Sequence, residues 1–142
     1  MSRISLAQAN AIIEASFAKG RELGLKPLAT VVVDAGGHDI AFQRQDGASL
    51  LRPQIARAKA SGALGLGVSS RKISDIAAER PTFIATLGVI APQGALPAAG
   101  GLIVVDAEGF PLGAVGVTGD TSDNDELCAA AGIVAAGLTV QA

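Results

Sequence analysis

The sequence is short of almost every residue that builds a conspicuous active site. It has one cysteine, Cys128, which excludes an internal disulfide and a thiolate metal cage. It has one histidine, His38, which excludes zinc sites of the two-His or three-His kind. Tryptophan and tyrosine are absent and aromatics total 3%, so stacking platforms for bases or sugars are not expected. No excess of one charge exists either, because 11 basic side chains face 13 acidic ones. A net charge of -2 argues against nucleic acid and against electrostatic docking on an anionic membrane. No apolar run reaches the length of about 18 residues that a spanning helix needs. The opening Met1-Ser2-Arg3-Ile4-Ser5 mixes polar residues in early and shows no signal peptide. What remains is a chain of 142 residues, 49% hydrophobic, with 18 glycines. That size predicts one domain with a real core, spanning 1–142 and located in the cytoplasm.

Helix, hairpin, helices, hairpin and helix follow one another along the chain. Ser5 with Gln8 makes a capping box, and Leu6, Ala9, Ile13, Phe17 and Gly20 recur behind it at helical spacing. Gly24 stops that helix and Pro27 forbids its continuation. Leu28 to Val33 is a β-branched run, Gly36-Gly37 supplies a turn, and His38 to Gln45 returns. In the return, Ile40 and Phe42 alternate with Asp39 and Gln43. Pro53 suits the first turn of a second helix carrying Ile55, Lys59, Gly62, Ala63 and Leu66. Ser70 caps a third helix that runs through Glu79 and is ended by Pro81. Residues 81–99, with three prolines, read as irregular, with one helical turn and a short strand. A second hairpin runs from Leu102 to Val105, turns through Asp106 to Gly109, and returns from Phe110 to Thr118. Gly113 and Gly116 in its return strand mark close backbone approach or a bulge. Ser122 with Asp125 caps a last helix whose apolar side carries Leu127, Ala131, Val134 and Leu138. Two hairpins between helices predict an α+β fold, an antiparallel sheet with its helices grouped on a face.

Few side chains offer chemistry. His38 is the one group that titrates near neutrality, which makes it a candidate for acid–base work or iron ligation. The plainer reading has it cap a tight turn beside Asp34. Cys128, among alanines, reads as a small buried hydrophobe rather than a nucleophile. Gly119 to Glu126 holds four carboxylates in eight residues yet lacks the spacing of a calcium loop. Acidic residues in a first helical turn are explained by the macrodipole alone. Arg52, Arg57, Lys59, Arg71 and Lys72 gather on the second and third helices, as a solvated face or as a carboxylate-binding patch.

Two stretches resemble a known family. Val31-Val32-Val33-Asp34-Ala35-Gly36-Gly37-His38, followed by Ala41 to Ala48, is similar to the first signature of the GlcG/HbpS family. That family includes the C-terminal domain of PduO-type proteins. Ala56-Arg57-Ala58-Lys59-Ala60 stands where the family has an A-x-x-K-A helix. Gly100-Gly101, then Gly113 to Gly119, then Asp125-Glu126 before an Ala-rich helix, is similar to the second signature. The resemblance runs in order from residue 5 to residue 139.

It implies a profilin-like antiparallel sheet of about five strands flanked by helices. It also implies homo-oligomers, from dimers up to octamers, and binding of haem or a related tetrapyrrole or corrinoid. In that reading His38 ligates or orients the iron, while Arg44, Arg52 or Lys59 pair with the propionates. Leu102 stands where some haem-binding members carry a hydroxyl, and the weaker oxygen donors would be Thr118, Thr121 and Asp125. A second reading is an enzyme or accessory factor acting on a small carboxylated metabolite. There Gly116, Thr118 and Gly119, with the N-terminus of the last helix, hold the carboxylate, and His38 or Asp125 shuttles the proton. A third is a structural oligomer without a ligand.

Overall fold

In a computed structural model, which describes residues 3–142, the elements run α1 (Leu6–Leu23), β1 (Ala29–Asp34), β2 (Asp39–Arg44), α2 (Arg52–Leu66), α3 (Ser70–Glu79), α4 (Pro81–Leu87), β3 (Gly101–Val105), β4 (Pro111–Thr118), α5 (Ser122–Ala135) and β5 (Thr139–Val140). The first helix forms as its sequence dictates. Ser5 Oγ accepts from the Gln8 N–H at 3.1 Å, and Gln8 Oε1 accepts from the Ser5 N–H at 2.9 Å. Gly24 closes the helix in the left-handed region, with φ 68°. Its buried stripe is Ala9, Ile12, Ile13, Ser16, Phe17 and Gly20. Leu6 falls outside that stripe and is exposed, whereas Ile4, just ahead of the cap, joins the core with Ala9.

The strands form one sheet in the order β2-β1-β4-β3-β5, every neighbour antiparallel. Its helices cover both faces instead of gathering on one. The face bearing Val32, Val115 and Val117 packs on Ile12 and Ile13 of α1 and on Cys128, Ala129 and Ile133 of α5. The opposite face, with Val31, Val33 and Ala114, packs on Ala56 and Ala60 of α2. Burial on both faces is why β1, β3 and β4 are continuous apolar runs rather than alternating ones.

Four expectations are corrected here. The caps of α3 and α5 are Ser69 and Thr121, not Ser70 and Ser122. Ser69 Oγ takes the Lys72 N–H and Thr121 Oγ1 the Asn124 N–H, each at 3.3 Å. Both pairs of adjacent hydroxyl residues fit a cap pattern, and the extended backbone of the first member selects it. The buried side of α5 is Asp125, Cys128, Ala129, Gly132 and Ile133, while Leu127 and Val134 face out. Residues 81–99 hold the seven-residue helix α4, opened by Pro81 at its first turn, and no strand. Leu138 lies beyond α5, just ahead of the two-residue strand β5.

A floor of glycine brings α2 unusually close to the sheet. A Cβ on Gly116 would be driven into the Ala56 carbonyl, and one on Gly101 into the Lys59 carbonyl. Helix backbone therefore rests on strand backbone, as Gly116 in the return strand led us to expect.

A buried ion pair and an apolar cleft

Where β4 ends and α5 begins, the chain encloses a charge pair. The Lys59 side chain leaves α2 and donates from Nζ to the Val117 carbonyl at 2.9 Å and to Asp125 Oδ2 at 3.1 Å. Neither side chain reaches solvent, with 3% and 2% of their areas exposed. Burial pushes the Lys59 pKa below its ordinary 10.5, and the Asp125 carboxylate pulls it part of the way back. Asp125 Oδ1 also accepts the Asp120 N–H at 3.0 Å. Beside this pair, Arg52 donates from a guanidinium NH₂ group to Thr118 Oγ1 at 2.9 Å and from Nε to Ser49 Oγ at 3.1 Å.

This geometry brings Lys59 and Arg52, expected as propionate partners, together with Thr118 and Asp125 of the separately expected carboxylate site beside Gly116 and Gly119, but it fills the space between them with the chain's own groups. Asp125 occupies the Asp120 amide, and Thr121 occupies the Asn124 and Asp125 amides of the helix N-terminus. The basic residues form no patch. Arg57 binds Asp39 at 2.9 Å and stacks over Phe42, and Arg71 binds Asp123 and Glu126. Burial holds the Cys128 thiol up at about 11, with the Asp125 charge adding to the effect.

His38 lies elsewhere. Thr118 pairs with Ala29 at the start of β1, whereas the His38 carbonyl accepts from Asp34 at its end. Five residues of strand separate those positions by roughly 16 Å. Arg44 pairs with Ala29 in register, so it too stands at the far end from His38. The imidazole is exposed, with Nδ1 3.5 Å from Asp34 Oδ1. The backbone amides of His38 and Gly36 both donate to that oxygen and hold the Asp34 carboxyl below its usual range. Asp34 thus caps the turn, and its carboxylate faces Nδ1 of His38 while leaving Nε2 to other partners.

Next to this turn opens a cleft of about 470 Å³, walled by Leu64, Leu87, Ile90 and Ala95, with His38 at one side. No Lys, Arg, Asp or Glu lines it among the described residues. In its outer wall, residues 88–95, the backbone amides of Val89, Ile90, Ala91 and Gly94 donate to carbonyls three or four positions back. That wall meets α2 where Ala95 sits over Gly62, at which a Cβ would lie 2.8 Å from the Ala95 Cα. Ser61 also lines the cleft, and its buried Oγ has no hydrogen-bond partner. Ser61 and Lys59 are two residues apart, about 200° around the helix, so they serve opposite sides of α2. Sequence reasoning missed Ser61, which looks like filler between Ala60 and Gly62.

A sheet of this order with helices on both faces is a fold seen in solved structures. The PduOC:heme complex shares it, with a TM-score of 0.86 at 20% identity over 99% of this chain and 100% of that one. A double mutant of HbpS from Streptomyces reticuli superposes with a TM-score of 0.79 at 29% identity, covering 93% and 86%. A 15.0 kDa protein of the dhaT-dhaS intergenic region of Citrobacter freundii is 33% identical over 129 residues, 91% of this chain and 89% of that one. The model of the HbpS-like haem-degrading protein family matches residues 4–134, and the chain belongs to that family. No helix among the described residues is long and apolar enough to cross a membrane.

Proposed function

We propose that the protein binds haem or a closely related tetrapyrrole in the cleft beside His38. The observation that carries this reading is the pairing of an exposed imidazole with an adjoining apolar cleft free of charged side chains. Membership of a haem-degrading family supports it. A tetrapyrrole asks for apolar walls and an axial nitrogen, and the residues fit both demands. His38 would hold the iron, with Asp34 orienting the imidazole through Nδ1. Leu64, Leu87 and Ile90 would cover the ring. Bound haem supplies redox-active iron, and the chain's part is to hold the ring and limit water around it.

Arg44, Arg52 and Lys59 do not line this cleft, so they have no part in the reading as propionate partners. Asp125 is spent on Lys59 and on the Asp120 amide, which speaks against it as the free proton shuttle of a metabolite reading. We further propose that copies of the chain associate through exposed apolar residues such as Leu50, Leu51 and Val89. Light scattering should then give more than the 14.1 kDa of one chain, and a monomer at micromolar concentration refutes it.

Haemin titration tests the main proposal. The Soret band should shift on addition of the wild-type protein, and His38→Ala should weaken that shift. A wild-type protein that leaves the haemin spectrum unchanged overturns the reading.

A further inference from the structure

Resting on the haem reading, we infer that Ser61 is the polar anchor of the cleft and donates a hydrogen bond to an acceptor oxygen of the ligand. A hydroxyl inside a helix ordinarily donates to a carbonyl three or four residues back. Ser16 does this in α1, reaching the Ile13 carbonyl at 2.8 Å and meeting Thr30 Oγ1 at 2.9 Å. Ser61 does neither. Its Oγ is shut off from solvent and has no partner at all. A buried hydroxyl left unpaired is unfavourable, so a fold gains nothing by keeping one. An alanine at 61 would serve the helix better, since neighbouring positions 58, 60 and 63 are alanine already.

What Ser61 does have is a place. It lines the cleft together with His38, and a Cβ on Gly37 would lie 3.6 Å from its Oγ, so the hydroxyl sits against the turn that carries the imidazole. The other walls are aliphatic, and Gln93 is the one further polar side chain lining the cleft. Rotation about the Ser61 Cα–Cβ bond would present this unspent proton donor to a ligand in the cleft, beside the imidazole. The matching chemistry is a flat, largely apolar molecule with a carbonyl or carboxylate oxygen at its edge. Ser61 thus selects by hydrogen bonding what the apolar walls accept by shape.

Two probes separate the anchor from the iron bond: haemin, and protoporphyrin IX, which has the ring without the metal. Ser61→Ala should melt no lower than the wild type and should bind both probes about tenfold more weakly, the size of one hydrogen bond. Ser61→Thr, which keeps the hydroxyl, should restore most of that affinity. His38→Ala should weaken haemin binding while leaving the Ser61 dependence of protoporphyrin IX intact. Wild-type affinity in Ser61→Ala overturns the inference and leaves the haem reading standing. So does an equal loss in the alanine and threonine variants, or a lowered melting temperature in Ser61→Ala. A wild-type protein that binds neither probe overturns the haem reading and the anchor with it.

Discussion

Replacing Asp125 with asparagine keeps the shape of the side chain and removes its charge. The Lys59 ammonium is then left in a closed space with one neutral acceptor, the Val117 carbonyl at 2.9 Å. Removing one member of a buried pair costs about 3–5 kcal/mol, because the surviving charge is uncompensated. Asparagine can still accept the Asp120 N–H through its side-chain oxygen, which places the expected loss near the lower end, at about 3 kcal/mol. For a chain of this length that lowers the melting temperature by roughly 10 °C. The deficit has a pH signature. Burial already lowers the Lys59 pKa in the folded protein, and without Asp125 it falls further. Between that folded value and 10.5 the unfolded chain binds more protons than the folded one, so raising the pH through the window stabilises the variant. Its gap from the wild type should therefore narrow as the pH rises from the variant's folded Lys59 value to the wild type's, itself below 10.5. Adding Lys59→Met removes the stranded charge and should bring stability back to within about 1 kcal/mol of the wild type. Thermal melts followed by circular dichroism across the pH range measure all three effects. An Asp125→Asn variant that melts like the wild type, or a deficit that does not change with pH, refutes the reasoning.

Two further substitutions test the packing and the caps. Gly116→Ala should cost about 3 kcal/mol in a urea melt, because its Cβ meets the Ala56 carbonyl and α2 must retreat from the sheet; an unchanged midpoint would show that the helix yields freely. Thr121→Ala should cost about 1 kcal/mol and Ser122→Ala less than about 0.5, and the reverse order would return the cap to Ser122.

Local signals carried the fold well. The Ser5–Gln8 box, the left-handed Gly24, both hairpins and the start of α2 at Pro53 are encoded within a few residues of where they act. Pairs of adjacent hydroxyls were ambiguous by one residue, and the buried side of α5 is built mostly of small residues, Cys128, Ala129 and Gly132, which the larger but exposed Leu127 and Val134 outweigh in a hydrophobic pattern. The two-residue β5 is too short for any period to show. The site was less legible because its members meet across long stretches of chain. Lys59 and Asp125 are 66 positions apart, and each alone reads as a surface charge. His38, Arg44, Arg52 and Lys59 look like one ligand set until strand register places the first at the other end of β1. Ser61 has no signature, because what distinguishes it is the absence of a partner.

The glycine floor under α2 makes the cleft mechanically lopsided. Helix and sheet touch through backbone atoms at Gly101 and Gly116, so no side-chain rotamer can change to let them slide or separate. Ser61 is fixed to that stiff half of the molecule. In the opposing wall Ala95 is packed on Gly62 and against the cluster of Ile73, Ile84 and Leu87, whereas Ile90 is exposed and its backbone bonds only locally. Compliance in the cleft therefore belongs to the stretch around Ile90, and a thicker molecule should displace Ile90 while Ala95 and Ser61 stay in place as the reference points.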